Sequence, residues 1–182
     1  MKKIFFLFIS CVFFSLIMNQ SVTAQDEIKA SKALFAEFGG GGIIMSMNYD
    51  QRFISQSKSG LGYRIGVGFG IYNYEEIVDN NYNYYRRSTY NIPVGLNYVF
   101  GRADLSSSFE VGFGATFLTR KMAIDYFNSY EKQYGHFLGF LNFMYRRMPV
   151  NGGYNFRVGF TPLINASGDL VPMGAVSFGY AF

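Results

Sequence analysis

The sequence predicts an all-β protein: an eight-stranded antiparallel up-and-down β-barrel that crosses a membrane, preceded by a signal peptide. Three observations predict it. Segments of about ten residues alternate strictly between apolar and small or polar side chains, the period-two pattern of a strand with two unlike faces. The composition is rich in Phe (21), Tyr (15) and Gly (21) and lacks Trp. The connections alternate between short and long, as in barrels with short periplasmic turns and long outer loops.

The chain begins MKKIFFLFISCVFFSLIMNQSVTAQ. Lys2 and Lys3 form a positive n-region, an apolar run follows over 4–18, and Val22-Thr23-Ala24 offers a small-residue cleavage site. This pattern reads as a secretory signal over 1–24. The apolar run is shorter than the roughly 20 residues of a spanning helix. The expected domains are therefore the signal peptide, 1–24, and a barrel domain, 25–182. The single cysteine, Cys11, lies within the apolar run, so no disulfide framework or thiol chemistry is expected. A net charge of +4, two units of it from Lys2 and Lys3, does not suggest a nucleic-acid binder.

Strands are expected at 31–39, 43–54, 61–74, 88–100, 107–119, 134–148, 153–164 and 171–182. The clearest is LGYRIGVGFGIY over 61–72, where Leu61, Tyr63, Ile65, Val67, Phe69 and Ile71 oppose Gly62, Arg64, Gly66, Gly68, Gly70 and Tyr72. A helix would scatter these glycines and lose stability at each one. The faces select between two barrels. A soluble barrel turns its apolar face inward, whereas a transmembrane barrel turns it to lipid. The polar face here is poor in Lys and rich in Gly, Ser and Asn, as a narrow lumen requires. Phe53, Tyr98, Phe100, Phe109, Tyr145, Tyr154, Tyr180 and Phe182 are expected near one rim as an aromatic girdle.

The strand over 31–39 brings the number from seven to eight, an even count as both termini on one side demand. It makes Gly39–Gly42 a hairpin turn at the outer face, where glycine adopts positive φ cheaply. A phosphate cradle is excluded by context, since no Gly-Lys-Ser/Thr and no helix follow. Pro93 and Pro162 fall inside expected strands, and Pro93 is expected to mark a bulge or the strand's true start. The first half of the strand over 134–148 alternates poorly.

EFGGGGIIMSMNYDQRF, NIPVGLNYVFG, FEVGFGATF, MYRRMPVNGGYNFRVGFTPLI and the terminal VSFGYAF together resemble the small outer-membrane β-barrel proteins of Bacteroidota. The resemblance covers the whole expected barrel domain. It implies a location in the cell outer membrane, contact with outer-membrane lipid, and a C-terminal signal for the barrel assembly machinery carried by Phe178, Tyr180 and Phe182. It implies no particular activity.

On the inner face, Glu37, Asp50, Arg52, Arg64, Glu110, Arg146 and Arg157 are expected to form a structural polar network, because buried charges must be paired and eight strands leave room only for packed side chains. Phe35, Leu118, Leu138 and Phe140 are expected inward near the outer end. His136, the sole histidine, with Asp125 and Glu131 before it, is the only catalytic candidate. A lone rim histidine is an ordinary polar loop residue, and no enzyme, metal or cofactor is expected. Tyr82, Tyr84, Tyr85, Arg86 and Arg87 are candidates for binding, Tyr and Arg being favoured at recognition surfaces. The expected function is a structural or surface-interaction role with a largely occluded lumen, displaying loops 75–88 and 120–133 to an extracellular partner. The alternative is a narrow pore for ions or small solutes.

Overall fold

The computed structural model describes residues 30–78, 81–102, 104–122, 135–165 and 168–182, with the backbone alone over 72–84. The signal peptide expected over 1–24 lies outside the described residues.

The described residues form ten strands: β1 Lys32–Gly39, β2 Met45–Arg52, β3 Gly60–Val78, β4 Asn81–Phe100, β5 Ser107–Met122, β6 Gly135–Arg147, β7 Gly153–Phe160, β8 Leu163–Ile164, β9 Leu170–Val171 and β10 Gly174–Ala181. Sequential antiparallel pairing runs from β1 to β7. β10 bridges β7 and β1, and the sheet closes on itself into a barrel of eight strands. Closure leaves no barrel edge unpaired. Lys32 and Phe182 exchange both backbone hydrogen bonds, at 3.0 and 2.9 Å, so the start of β1 and the end of β10 meet at one end of the wall. This is the terminus end, and the opposite one is the hairpin end.

The pleat sorts the side chains by polarity. Leu34, Met47, Ile65, Val94, Phe113, Phe156 and Phe178 are among the many large apolar residues exposed on the outer wall. Asn48, Asn97, Thr116, Asn142, Ser177 and every one of the seven charged residues of the inner face are buried. A soluble monomer rarely exposes a continuous apolar surface of this extent. The aromatic residues expected at one rim are all exposed and neighbour each other at the terminus end, with Phe100 opposite Phe109, Phe109 opposite Tyr145 and Tyr154 opposite Tyr180.

Glycine makes the interior fillable. A Cβ at Gly62 would meet the Arg52 guanidinium, at Gly66 the Asn48 amide, at Gly112 the Asn97 side chain and at Gly179 the Phe35 side chain. Gly95 and Gly114 both lie under the Phe140 ring. Large inward side chains thus rest on the bare backbone of the neighbouring strand, with Arg52 paired to Gly62, Asn48 to Gly66, Asn97 to Gly112 and Phe35 to Gly179.

Several strand limits differ from the sequence expectation. The stretch expected as a loop over 75–88 is paired backbone: β3 and β4 continue as a ribbon, with Tyr74 opposite Tyr85 and Val78 opposite Asn81. Its Tyr, Ile and Val residues favour extended chain, and the two strands satisfy each other without the barrel. The other expected loop, 120–133, begins within β5, which reaches Met122, and 123–134 lie outside the described residues. Pro93 neither starts a strand nor forms a bulge. β4 passes through it with Ile65–Val94 and Gly68–Asn91 in one register, and only the rungs between them are missing from the β3 ladder, because proline has no N–H. Pro162 does interrupt the expected strand 153–164. β7 stops at Phe160 and the same register resumes in β8, while Pro172 separates β9 from β10 directly opposite. β6 alternates in burial from Phe137 onward, with Gly135 and His136 both half-buried.

The β1–β2 turn falls at the four glycines, as expected. Gly40–Gly42 form a single 3-10 turn whose three glycines are buried; the turn bends into the barrel mouth. Gly39 (φ 76°) and Gly40 (φ 64°) start the inward bend, a conformation that glycine alone adopts without strain. Ile43 (φ 71°) completes it. Thr116 Oγ1 donates to the Gly41 carbonyl at 2.7 Å and Asn91 Nδ2 to the Gly42 carbonyl at 2.9 Å, so β4 and β5 hold the turn inside.

Candidate functional site: a chain of charges in the barrel interior

The alternation that sends apolar side chains outward sends seven charged ones to a common interior. Their ion pairs form one unbranched chain: Arg52–Asp50–Arg146–Glu110–Arg157–Glu37–Arg64. Signs alternate throughout. The Arg146–Asp50 contact is 2.6 Å, Arg146–Glu110 3.2 Å, Arg157–Glu110 3.1 Å, Arg157–Glu37 3.2 Å and Arg64–Glu37 3.1 Å; Arg52 is paired with Asp50. All seven side chains are at most 2% exposed. Charges so deep are sustained only by partners and hydrogen bonds.

Neutral groups complete the chain. Asn97 Nδ2 donates to Asp50 at 3.2 Å and to Glu110 at 3.1 Å, while its oxygen accepts from Arg52. Arg157 Nε donates to Ser177 Oγ at 2.9 Å, and its guanidinium lies 3.7 Å from the centre of the Phe35 ring. At the far end Arg64 lies 5.0 Å from the Phe140 ring centre, a cation–π contact.

Apolar clusters stand on either side. Ala30, Ala33, Phe35, Met148 and Ala181 pack at the terminus end. Ile43, Leu118, Met122 and Leu138 form one cluster near the hairpin end, and Phe140, Leu163 and Val171 with Met173 another. Phe35 was expected near the outer end. Lying three residues from the start of β1, it belongs instead to the opposite cluster, beside Ala33 and Ala181.

His136 is part of a strand irregularity. The β5–β6 register shifts between Phe117 and Met122, freeing the Leu118 carbonyl, and His136 Nδ1 lies 2.9 Å from it. The carbonyl can only accept, so Nδ1 carries the proton. Asp125 and Glu131 lie outside the described residues. Among the described residues no group of three His, Cys, Asp or Glu stands where it could hold a metal ion.

The binding candidates Tyr82, Tyr84, Tyr85, Arg86 and Arg87 lie in β4, where they pair through the backbone with Ile77, Glu75, Tyr74, Asn73 and Tyr72. Tyr85, Arg86 and Arg87 are exposed; the side chains of Tyr82 and Tyr84 lie outside the described residues. Phe178, Tyr180 and Phe182 face outward near the closing seam. On the same wall Leu61, Leu96, Tyr98, Phe100, Phe113 and Phe143 line an apolar groove of about 320 Å³. Asn97 and Ser177 join the network without having been singled out by residue type; the available signal was their inward phase, with Ser177 paired to Arg157 and Asn97 one alternation from the partner of Glu110.

A closed eight-stranded wall, apolar outside and charged within, defines the fold class of the small outer-membrane β-barrels. The chain is similar in fold to the Yersinia pestis outer membrane protein Ail in a phospholipid bilayer nanodisc, with 13% identity and a TM-score of 0.50 over 85% of this chain and 100% of that one. Against the crystal structure of Y. pestis Ail, the attachment invasion locus protein, in complex with the heparin analogue sucrose octasulfate, identity is 14% and TM-score 0.38 over 84% and 94% of the two chains. No protein-family model matches the sequence, and no curated protein matches it.

Proposed function

We propose that this chain is a small barrel of the bacterial outer membrane, of the Bacteroidota type, whose filled interior makes it a scaffold for surface interaction and not a channel. The observation that carries this reading is the charge chain between apolar clusters at both ends. An ion entering the lumen would have to break paired, buried charges in an interior already occupied by Arg, Phe and Met side chains. The apolar outer wall and its aromatic rim support lipid contact. The β3–β4 ribbon, 19 and 20 residues long, exceeds the 9–11 residues of a crossing strand and supports display of Tyr85, Arg86 and Arg87 to an extracellular partner. Phe178, Tyr180 and Phe182 serve as the assembly signal, and 1–24 as the cleaved export signal. The protein catalyses no reaction.

Conductance tests the reading. Purified protein inserted into a planar bilayer is expected to give no steady channels; reproducible open channels from the unmodified protein would establish the narrow pore instead.

A further inference from the structure

We propose that the free edge of β3 beyond the barrel is a docking site for an extended, basic polypeptide segment, which adds to the ribbon as a further β-strand. The proposal deepens the surface-interaction reading above and rests on it. β2 pairs with β3 only as far as Met45 with Phe69, whereas β4 pairs with it to Val78. Ile43 of the β1–β2 turn still lies against Gly70. From Ile71 to Val78, about 23 Å of strand, the β2 side of β3 has no strand partner among the described residues. The phase of the ladder fixes which groups face that side. In an antiparallel pair, alternate residues turn both backbone groups to the same neighbour. The Leu61 carbonyl accepts from Phe53 N–H on the β2 side. Tyr90, the partner of Phe69, turns its N–H and carbonyl to Thr119 of β5 and so away from β3. Odd-numbered residues of β3 therefore face β2, and Ile71, Asn73, Glu75 and Ile77 present their N–H and C=O groups on the free edge.

Exposed edges are commonly blunted by a lysine, a proline, a bulge or a short strand. The segment GIYNYEEIV over 70–78 has neither Lys nor Pro, and its register to β4 runs without a shift from Gly68–Asn91 to Val78–Asn81. Its Ile, Tyr and Val residues favour extended chain. A two-stranded ribbon is marginal by itself, and a third strand completes its backbone pairing. The other edge is not equivalent, because β5 follows β4 as far as Thr89, whose Oγ1 accepts from Arg120 N–H at 3.2 Å. Within hydrocarbon an unpaired edge is not tolerated, so the place where β2 leaves β3 marks where the ribbon enters water. Charge selects the occupant. Glu75 and Glu76 are consecutive and put one acidic residue on each face of the edge strand, while Arg86 and Arg87 stand one strand further off, on β4 opposite Asn73 and Tyr72. Opposite charges on adjacent strands attract and like charges repel. A second copy in the same membrane would bring its β3 alongside in the same direction, with Glu75 and Glu76 level with their own counterparts. A basic extended segment meets them with Lys or Arg, while its main chain supplies the affinity.

The test uses the folded full barrel in neutral detergent micelles, with heat-dependent gel mobility establishing the fold of every variant. The probes are short labelled peptides of alternating Thr and Val: one with Lys at two central positions, one with Glu there, and the Lys peptide with its backbone nitrogens methylated. Binding is read by fluorescence anisotropy. The Lys peptide is expected to bind about tenfold more tightly than the Glu peptide, and the methylated peptide not to bind. Asn73→Pro removes a donor from the free edge and no bond to β4, a place where a strand admits proline. It should weaken the Lys peptide about tenfold through the lost hydrogen bond. Glu75→Lys with Glu76→Lys should invert the preference, to about tenfold in favour of the Glu peptide. Equal binding of the methylated peptide, or Asn73→Pro without effect, would overturn strand addition. A preference unmoved by the charge reversal would overturn the basic partner. A concentration-dependent dimer that is lost in Asn73→Pro would assign the edge to a second copy and overturn the proposal as well. The scaffold reading fails separately: open channels in the planar bilayer would overturn it whatever the peptides do.

Discussion

At the residue scale, Glu110 is the centre of the interior. It is fully buried and bridges Arg146 and Arg157, with Asn97 donating to it as well. Glu110→Gln keeps the shape and removes the charge, leaving two buried guanidiniums short of a partner. Breaking a buried pair in this way costs about 3–5 kcal/mol, and the variant is expected to unfold at markedly lower urea concentration in detergent. The Arg102–Asp104 pair is the contrast. It is as short, 2.8 Å, but its side chains are 76% and 59% exposed, so Arg102→Gln should change stability by less than about 1 kcal/mol. Equal effects from the two substitutions would show that the interior chain carries no special weight. The seven charged residues were legible because alternation alone assigns them to one face. Their order in the chain was not legible, because it depends on strand stagger around a closed barrel, which single-strand periodicity does not contain.

At the element scale, the strands succeed where small and large side chains interlock. Gly114 lies against the Phe140 ring and the Val94 carbonyl, whereas Gly174 has only a carbonyl oxygen 3.8 Å from where its Cβ would be. Gly114→Ala is expected to destabilise by about 1–3 kcal/mol through overpacking, and Gly174→Ala by little, as read from equilibrium unfolding. Similar losses at both positions would deny that interior volume is what these glycines set. The period-two pattern located every strand of the barrel, but the ends of strands obeyed other forces. The Tyr- and Asn-rich 75–88 looked like loop by composition and pairs as ribbon, since backbone pairing needs no apolar face. The four glycines marked a turn correctly; that it points inward depends on the Thr116 and Asn91 donors, which lie far away in sequence.

At the scale of the whole molecule, closure joins the first strand to the last. Phe182 has two separable parts in this. Its backbone exchanges hydrogen bonds with Lys32, while its ring is exposed on the outer wall. Phe182→Ala retains the backbone bonds. Refolding into detergent is therefore expected to stay within about twofold of the unmodified protein, while insertion into the cell's outer membrane falls several-fold if the ring is read during assembly. A parallel fall in both measurements would make the ring a packing element and not a signal.

The interior chain has an odd number of members, with an arginine at each end. Parity then limits how such an interior can change. Losing one carboxylate splits the sequence of signs and strands cations on both sides of the gap. Losing a neighbouring acid and base together from an end, such as Asp50 with Arg52, leaves a shorter chain of the same form. Interiors related to this one by descent should therefore differ by adjacent pairs, with single changes confined to the terminal arginines.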